Sequence, residues 1–69
     1  MLEIHGIHIP SCKIFINGEL FIDQKLPWRN NRLVCSTKEP ITEIRVENTS
    51  NYKIVANGVK IRPGKAMLV

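Results

Sequence analysis

Read for apolar and polar positions, the chain divides into short alternating runs separated by turn signals, and no window of ten residues keeps helical spacing. Two runs stand out. "KIFINGELFI" (13–22) and "KIVANGVKI" (53–61) each set Asn-Gly between β-forming residues and share Lys-Ile-x-x-Asn-Gly. Both central residues of a type I′ turn need positive φ, which Asn followed by Gly tolerates best. The pattern therefore predicts two hairpins, 12–16 with 19–23 and 52–56 with 59–62. Further strands are expected over 2–9, which ends at Pro10, over 32–36, and over 42–47. In the last of these Ile44 and Val46 alternate with Glu43, Arg45 and Glu47. A Pro63-Gly64 turn of type II then leads into a final strand at 66–69. Together these elements predict an all-β barrel or sandwich of about six to eight short, mainly antiparallel strands, forming one domain over residues 1–69.

Reading the hairpins face by face gives two different objects, because alternate residues go to opposite faces and cross-strand partners share one. The second hairpin is half-buried. Tyr52, Ile54, Ala56, Val59 and Ile61 face the core, while Lys53, Val55, Lys60 and Arg62 face out. The first is apolar on both sides, with Cys12, Ile14, Ile16 and Phe21 on one and Phe15, Leu20 and Ile22 on the other. Leaving such side chains wet forfeits about 1.5–3 kcal/mol each. A contiguous patch of this kind seldom stays exposed. Either the 24–31 loop folds over it, with Leu26 and Trp28 as a lid, or a second copy of the chain covers it. The expectation is self-association through Phe15, Leu20 and Ile22, with Met67, Leu68 and Val69 as a second contact.

Size sharpens that expectation. The chain has 69 residues, and a core this small rarely supplies more than about 3–5 kcal/mol without a staple such as another subunit. Its net charge of +4 and pI near 9.4 suit acidic partners without requiring them. No apolar run is long enough to span a membrane, and no leader-like segment opens the chain. A cytoplasmic protein with Cys12 and Cys35 as free thiols is expected, with no membrane partner.

Two features carry candidate binding chemistry. Lys53, Lys60 and Arg62, with Lys65 nearby, form a stripe able to meet phosphates. Alternatively, Glu43 and Glu47 neutralise that stripe if 42–47 lies beside 52–56. The loop "KLPWRNNR" (25–32) sets Trp28, the only tryptophan, beside Arg29 and Arg32. That combination suits a protein anchor or stacking on bases, although a tryptophan here also suits plugging the end of a barrel. His5 and His8 fall on opposite faces of a continuous strand, and neither cysteine completes a zinc spacing with them. No GxSxG, HExxH, P-loop or GxGxxG occurs. The expectation is a protein that is not an enzyme and holds no metal or cofactor.

The ending "NGVKIRPGKAMLV" (57–69) resembles the close of many β-sandwich and phage-type accessory domains, where a Pro-Gly turn precedes the last strand. The resemblance implies a compact accessory chain and assigns no site. The leading expectation is a self-associating interaction module, of inhibitor or adaptor type, that offers Trp28, Arg29 and Arg32 to a protein partner. The alternative is a small β-barrel that binds single-stranded nucleic acid through that loop and the Lys53/Lys60/Arg62 face.

Overall fold

Alternation of period two, broken every few residues by Asn-Gly, Pro or Pro-Gly, leaves room for strands and none for a helix. The computed structural model describes residues 1–69 and shows eight strands. They are β1 (Leu2–Gly6), β2 (Ser11–Ile16), β3 (Glu19–Lys25), β4 (Asn30–Leu33), β5 (Ile44–Asn48), β6 (Ile54–Ala56), β7 (Val59–Ile61) and β8 (Ala66–Leu68). All pairings are antiparallel. They build two four-stranded sheets, ordered β4-β1-β6-β7 and β3-β2-β5-β8. Leu2, Ile4, Ile54, Ala56 and Ile61 of the first sheet meet Cys12, Ile14, Ile16 and Val46 of the second, and Leu26 closes the cluster from a loop. Having no helix, the chain has none long and apolar enough to cross a membrane.

Both Asn-Gly hairpins form, one in each sheet. Asn17 and Gly18 have φ of 52° and 82°, and Asn57 and Gly58 have 46° and 82°, the left-handed geometry that a tight hairpin requires. Each turn asparagine also docks its hairpin onto the neighbouring strand. Asn17 donates its N–H to the Glu43 carbonyl at 3.0 Å, and its Oδ1 accepts from the N–H of Thr42 at 2.8 Å. Asn57 donates to the Glu3 carbonyl at 2.8 Å and accepts from the Glu3 N–H at 2.9 Å. The shared Lys-Ile-x-x-Asn-Gly is thus one local solution used twice: a hairpin whose turn clamps the entry of a third strand.

Four expectations are corrected. The first hairpin keeps the pairs Ile16–Glu19 and Phe15–Leu20, but then a β-bulge intervenes and Ile14 faces Ile22, not Phe21. An extra residue in one strand reverses the facing of everything beyond it. Ile22 therefore packs against the core, and Phe21 is 41% exposed. The first strand stops at Gly6 and does not run to residue 9. The second hairpin begins at Ile54, so Tyr52 is not on the core face; it is exposed and lies on His8, ring centroids 4.1 Å apart. Finally, β5 and β6 belong to different sheets, so Glu43 and Glu47 do not flank the Lys53/Lys60/Arg62 stripe.

The topology has a consequence for the surface. The short connections 7–10, 26–29, 49–53 and 62–65 each cross from one sheet to the other. In an all-antiparallel sandwich with this register they all fall at the same end. The two hairpin turns occupy the other end, together with the long 34–43 crossing. The short crossings are tied by Asn48, which is fully buried at the end of β5. Its Nδ2 donates to the carbonyls of Ile61 at 2.9 Å and Tyr52 at 2.8 Å, and its Oδ1 accepts from the Ser50 N–H at 2.9 Å. One side chain therefore joins the second sheet to the first and shapes the turn that leads into β6.

Candidate functional site

The short-crossing end gathers bases and aromatic rings. Lys25, Arg29, Lys53, Arg62 and Lys65 all lie on the crossings or at the strand ends that feed them, and no acidic residue occurs in 7–10, 24–29, 49–53 or 62–65. Four of the six acidic residues belong to the hairpin end. Glu3 is bonded to Asn57, Glu43 to Asn17, Glu19 follows the first turn, and Glu39 lies in the 34–43 segment. The other two, Asp23 and Glu47, flank Lys13 one row in from the short crossings, so the excess of positive charge belongs to the crossings themselves.

Trp28 sits on the positive end and is 70% exposed. It neither plugs the sandwich nor covers the first hairpin; Leu26 alone does the plugging, at 1% exposure. The backbone around the ring is nevertheless held. The Leu26 N–H donates to the Pro10 carbonyl at 2.8 Å, and the Gly6 N–H donates to the Arg29 carbonyl at the same distance. Buried Asn31 donates its side-chain amide to the Trp28 carbonyl. An indole presented to water on a pinned loop costs little ordering when it binds something, which is how preorganised contacts gain affinity.

Two depressions flank the 7–9 crossing. One, of about 440 Å³, has Lys25, His8 and Tyr52 on its walls. The other, of about 250 Å³, lies on the first sheet's outer face between His5, Ile7, Lys53 and Val55. Lys60 is the cross-strand neighbour of Val55, one of the residues lining this second depression. Neither Lys53, Lys60 nor Arg62 takes part in an ion pair; the Glu3 carboxylate pairs with Arg32 at 3.4 Å and lies 3.6 Å from the His5 ring. Arg32 is therefore paired with Glu3, and β4 carries it away from the loop end. Of the residues singled out in the sequence, the fold brings together Trp28, Arg29, Lys53, Arg62 and, one row in, Lys60; it sets Arg32 apart. Sequence reasoning counted Lys25 among the bases of the Trp28 loop but missed Tyr52 and His8 as members. The available signal was the absence of Asp and Glu from four separate loops, which only the topology unites.

The opposite outer face, that of β3-β2-β5-β8, is of another kind. The register lines up Leu20, Phe15, Arg45 and Leu68 as one row and Asp23, Lys13, Glu47 and Ala66 as the next. The Arg45 guanidinium lies 4.5 Å from the Phe15 ring centroid, a cation–π contact that half-covers the ring. Leu20 and Leu68 remain 55% and 61% exposed. Of the three residues expected to self-associate, Phe15 and Leu20 are on this face and Ile22 is not.

Neither thiol is primed for nucleophilic chemistry. Burial, with the Asp23 carboxylate adding to it, pushes the Cys12 thiol up to about 11. Burial also raises Cys35, against a smaller opposing pull from the N-terminal ammonium. Both cysteines are free. Comparison with known proteins finds no match to the chain, whether as a family model, a curated protein or a solved structure.

Proposed function

We propose that this protein is a binding module whose short-crossing end takes single-stranded nucleic acid. The observation that carries the proposal is the convergence of four acid-free crossings, bearing Trp28, the His8–Tyr52 pair and five bases, on one end of the sandwich. Single strands are held sequence-tolerantly by bases stacking on aromatic rings while a basic groove follows the backbone. Exposed Trp28 and Tyr52 supply the rings. Lys25, Arg29, Lys53, Arg62 and Lys65 supply the phosphate contacts, with Lys60 beside them. Duplex fits less well, because its bases are already stacked and this end offers no helix or ribbon to enter a groove.

The experiment is a fluorescence titration of the sole tryptophan with a short oligothymidylate at several salt concentrations. Stacking should quench Trp28. Each phosphate contact on a single strand contributes about −0.7 to the slope of log K against log salt, so three to four contacts give roughly −2 to −3. Replacing Lys53, Lys60 and Arg62 by glutamine should flatten that slope. Trp28→Ala, which removes the fluorophore and is followed by the anisotropy of a labelled oligothymidylate, should cost about 1–3 kcal/mol of binding with the slope kept. Absence of quenching at low salt would refute the proposal. A second reading has its own support: a pinned, exposed tryptophan beside arginine is also the composition of a protein-interface anchor. A partner protein held that way would show Trp28-dependent binding with little salt dependence.

A further inference from the structure

The outer face of β3-β2-β5-β8 is complementary to itself, and we infer that a second copy of this chain covers it, related by a two-fold axis parallel to the strands and midway between β2 and β5. Such an axis lays β5 of one protomer over β2 of the other, and β8 over β3. The strand register then sets each of the two rows against its own mirror order. Leu20 meets the partner's Leu68, and Phe15 meets the partner's Arg45. Lys13 meets the partner's Glu47, and Asp23 meets the small Ala66 of the partner subunit. Leucine falls on leucine, a ring on a guanidinium and an ammonium on a carboxylate, twice each, as a two-fold interface requires, and no like charges are opposed.

The charges that would pair are available. Lys13 and Glu47 are neighbours within the sheet, yet neither takes part in an ion pair in the single chain, and both point outward on strands whose alternate residues are buried. The competing arrangement, an axis across the strands between the two rows, would press Leu20 onto Asp23 and lose the apolar match. Four strands at about 4.8 Å spacing make a face only about 19 Å wide with two rows of side chains on it, a small contact, so weak, concentration-dependent association is expected. Because the axis runs along the strands, the two short-crossing ends lie side by side on the same end of the dimer. The assembly stands independently of the proposed function, since it uses a different face, but it would double the length of any strand the loop end can hold.

Sedimentation equilibrium across a dilution series into the millimolar range, with thermal melts as a check on folding, tests the inference. Lys13→Glu sets carboxylate against carboxylate at both contacts between positions 13 and 47, and Glu47→Lys sets ammonium against ammonium there. Each variant alone should dimerise about tenfold more weakly or worse, turning two attractive exposed pairs into repulsive ones. Mixed in equal amounts, the two variants should regain wild-type association as a heterodimer, since each contact between positions 13 and 47 then joins a carboxylate to an ammonium. Damage to the fold of either variant cannot produce that rescue. A wild type that remains monomeric at millimolar concentration overturns the inference. So does a dimer indifferent to both substitutions, or a mixture no tighter than its components. Oligonucleotide binding is measured separately on the other end, so failure of one proposal leaves the other distinguishable.

Discussion

Replacing Asn48 by alanine removes a buried side chain that satisfies three backbone groups of the short-crossing end. The Ile61 carbonyl is buried, and the Tyr52 carbonyl and Ser50 N–H are partly so. A buried polar group left without a partner costs about 1–3 kcal/mol. The Tyr52 carbonyl keeps the Ser50 hydroxyl as a partner at 2.8 Å, so taking the lower end for each of the other two gives a loss of about 2 kcal/mol, a large part of what a core of this size supplies altogether. For a domain this small each kcal/mol moves the thermal midpoint by roughly 4–8 °C, so a drop of roughly 8–16 °C is expected by circular dichroism. Asn48→Asp separates the hydrogen bonds from the volume. It keeps the acceptor for Ser50 but turns an oxygen towards two carbonyls where an NH₂ stood. Burial and those carbonyls would raise the carboxyl above its unfolded value, so the neutral form is favoured in the fold. The variant should be most stable at acid pH and lose stability as pH rises through about 4 and beyond, ending below alanine at neutral pH. If alanine costs less than about 1 kcal/mol, and aspartate shows no such pH limb, then Asn48 is not the tie between the sheets and the loop end is held some other way.

Other outcomes follow from the same structure. Ile22→Ser should cost about 1–2 kcal/mol, as for a half-buried aliphatic residue, whereas Leu20→Ser should stay within about 0.5 kcal/mol in dilute thermal melts; equal losses would mean the bulge is absent. The raised Cys12 thiol binds its proton more tightly in the fold than in the unfolded chain, so stability should be unaffected below about pH 9 and fall as pH rises from 9 towards 11. The loss there reaches on the order of 2–3 kcal/mol, read as the difference between wild type and Cys12→Val in denaturant titrations, and a flat difference would show Cys12 to be hydrated. Tyr52→Ala should weaken oligothymidylate binding without altering the salt slope, as measured by anisotropy, because it removes a ring and no charge.

The sequence carried the local geometry well. Asn17-Gly18 and Asn57-Gly58 are turn signals whose physics is complete within four residues, and both hairpins form with the inner pairs expected. The bulge lay within reach of a closer comparison. After the shared Lys-Ile-x-x-Asn-Gly, isoleucine comes at the third residue past glycine in one hairpin (Ile61) and at the fourth in the other (Ile22), and the extra residue is the one extruded. Sheet order was less accessible. Whether β5 neighbours β6 depends on where the short 49–53 turn sends the chain, and Asn48 directs it across to the other sheet through bonds that a run of "NTSN" does not announce. The candidate site inherits that difficulty. Trp28 and the lysines were visible one by one, but their union, and their distance from Glu43 and Glu47, belongs to the topology. Trp28 itself could be weighed only once Leu26 was seen to fill the position that a tryptophan could have taken.

On this reading the molecule divides its labour by position, with the loop end for single strands and the β3-β2-β5-β8 face for its own copy. An amide ¹⁵N–¹H correlation spectrum recorded during titration with oligothymidylate tests that division most directly. Shifts are predicted to concentrate at residues 7–9, 25–29, 50–53 and 60–65, together with the Trp28 indole N–H, while Lys13, Phe15, Arg45 and Glu47 respond only to protein concentration. Shifts that instead cluster on the outer face of β2 and β5, or at the hairpin end around Glu19 and Glu43, would contradict it.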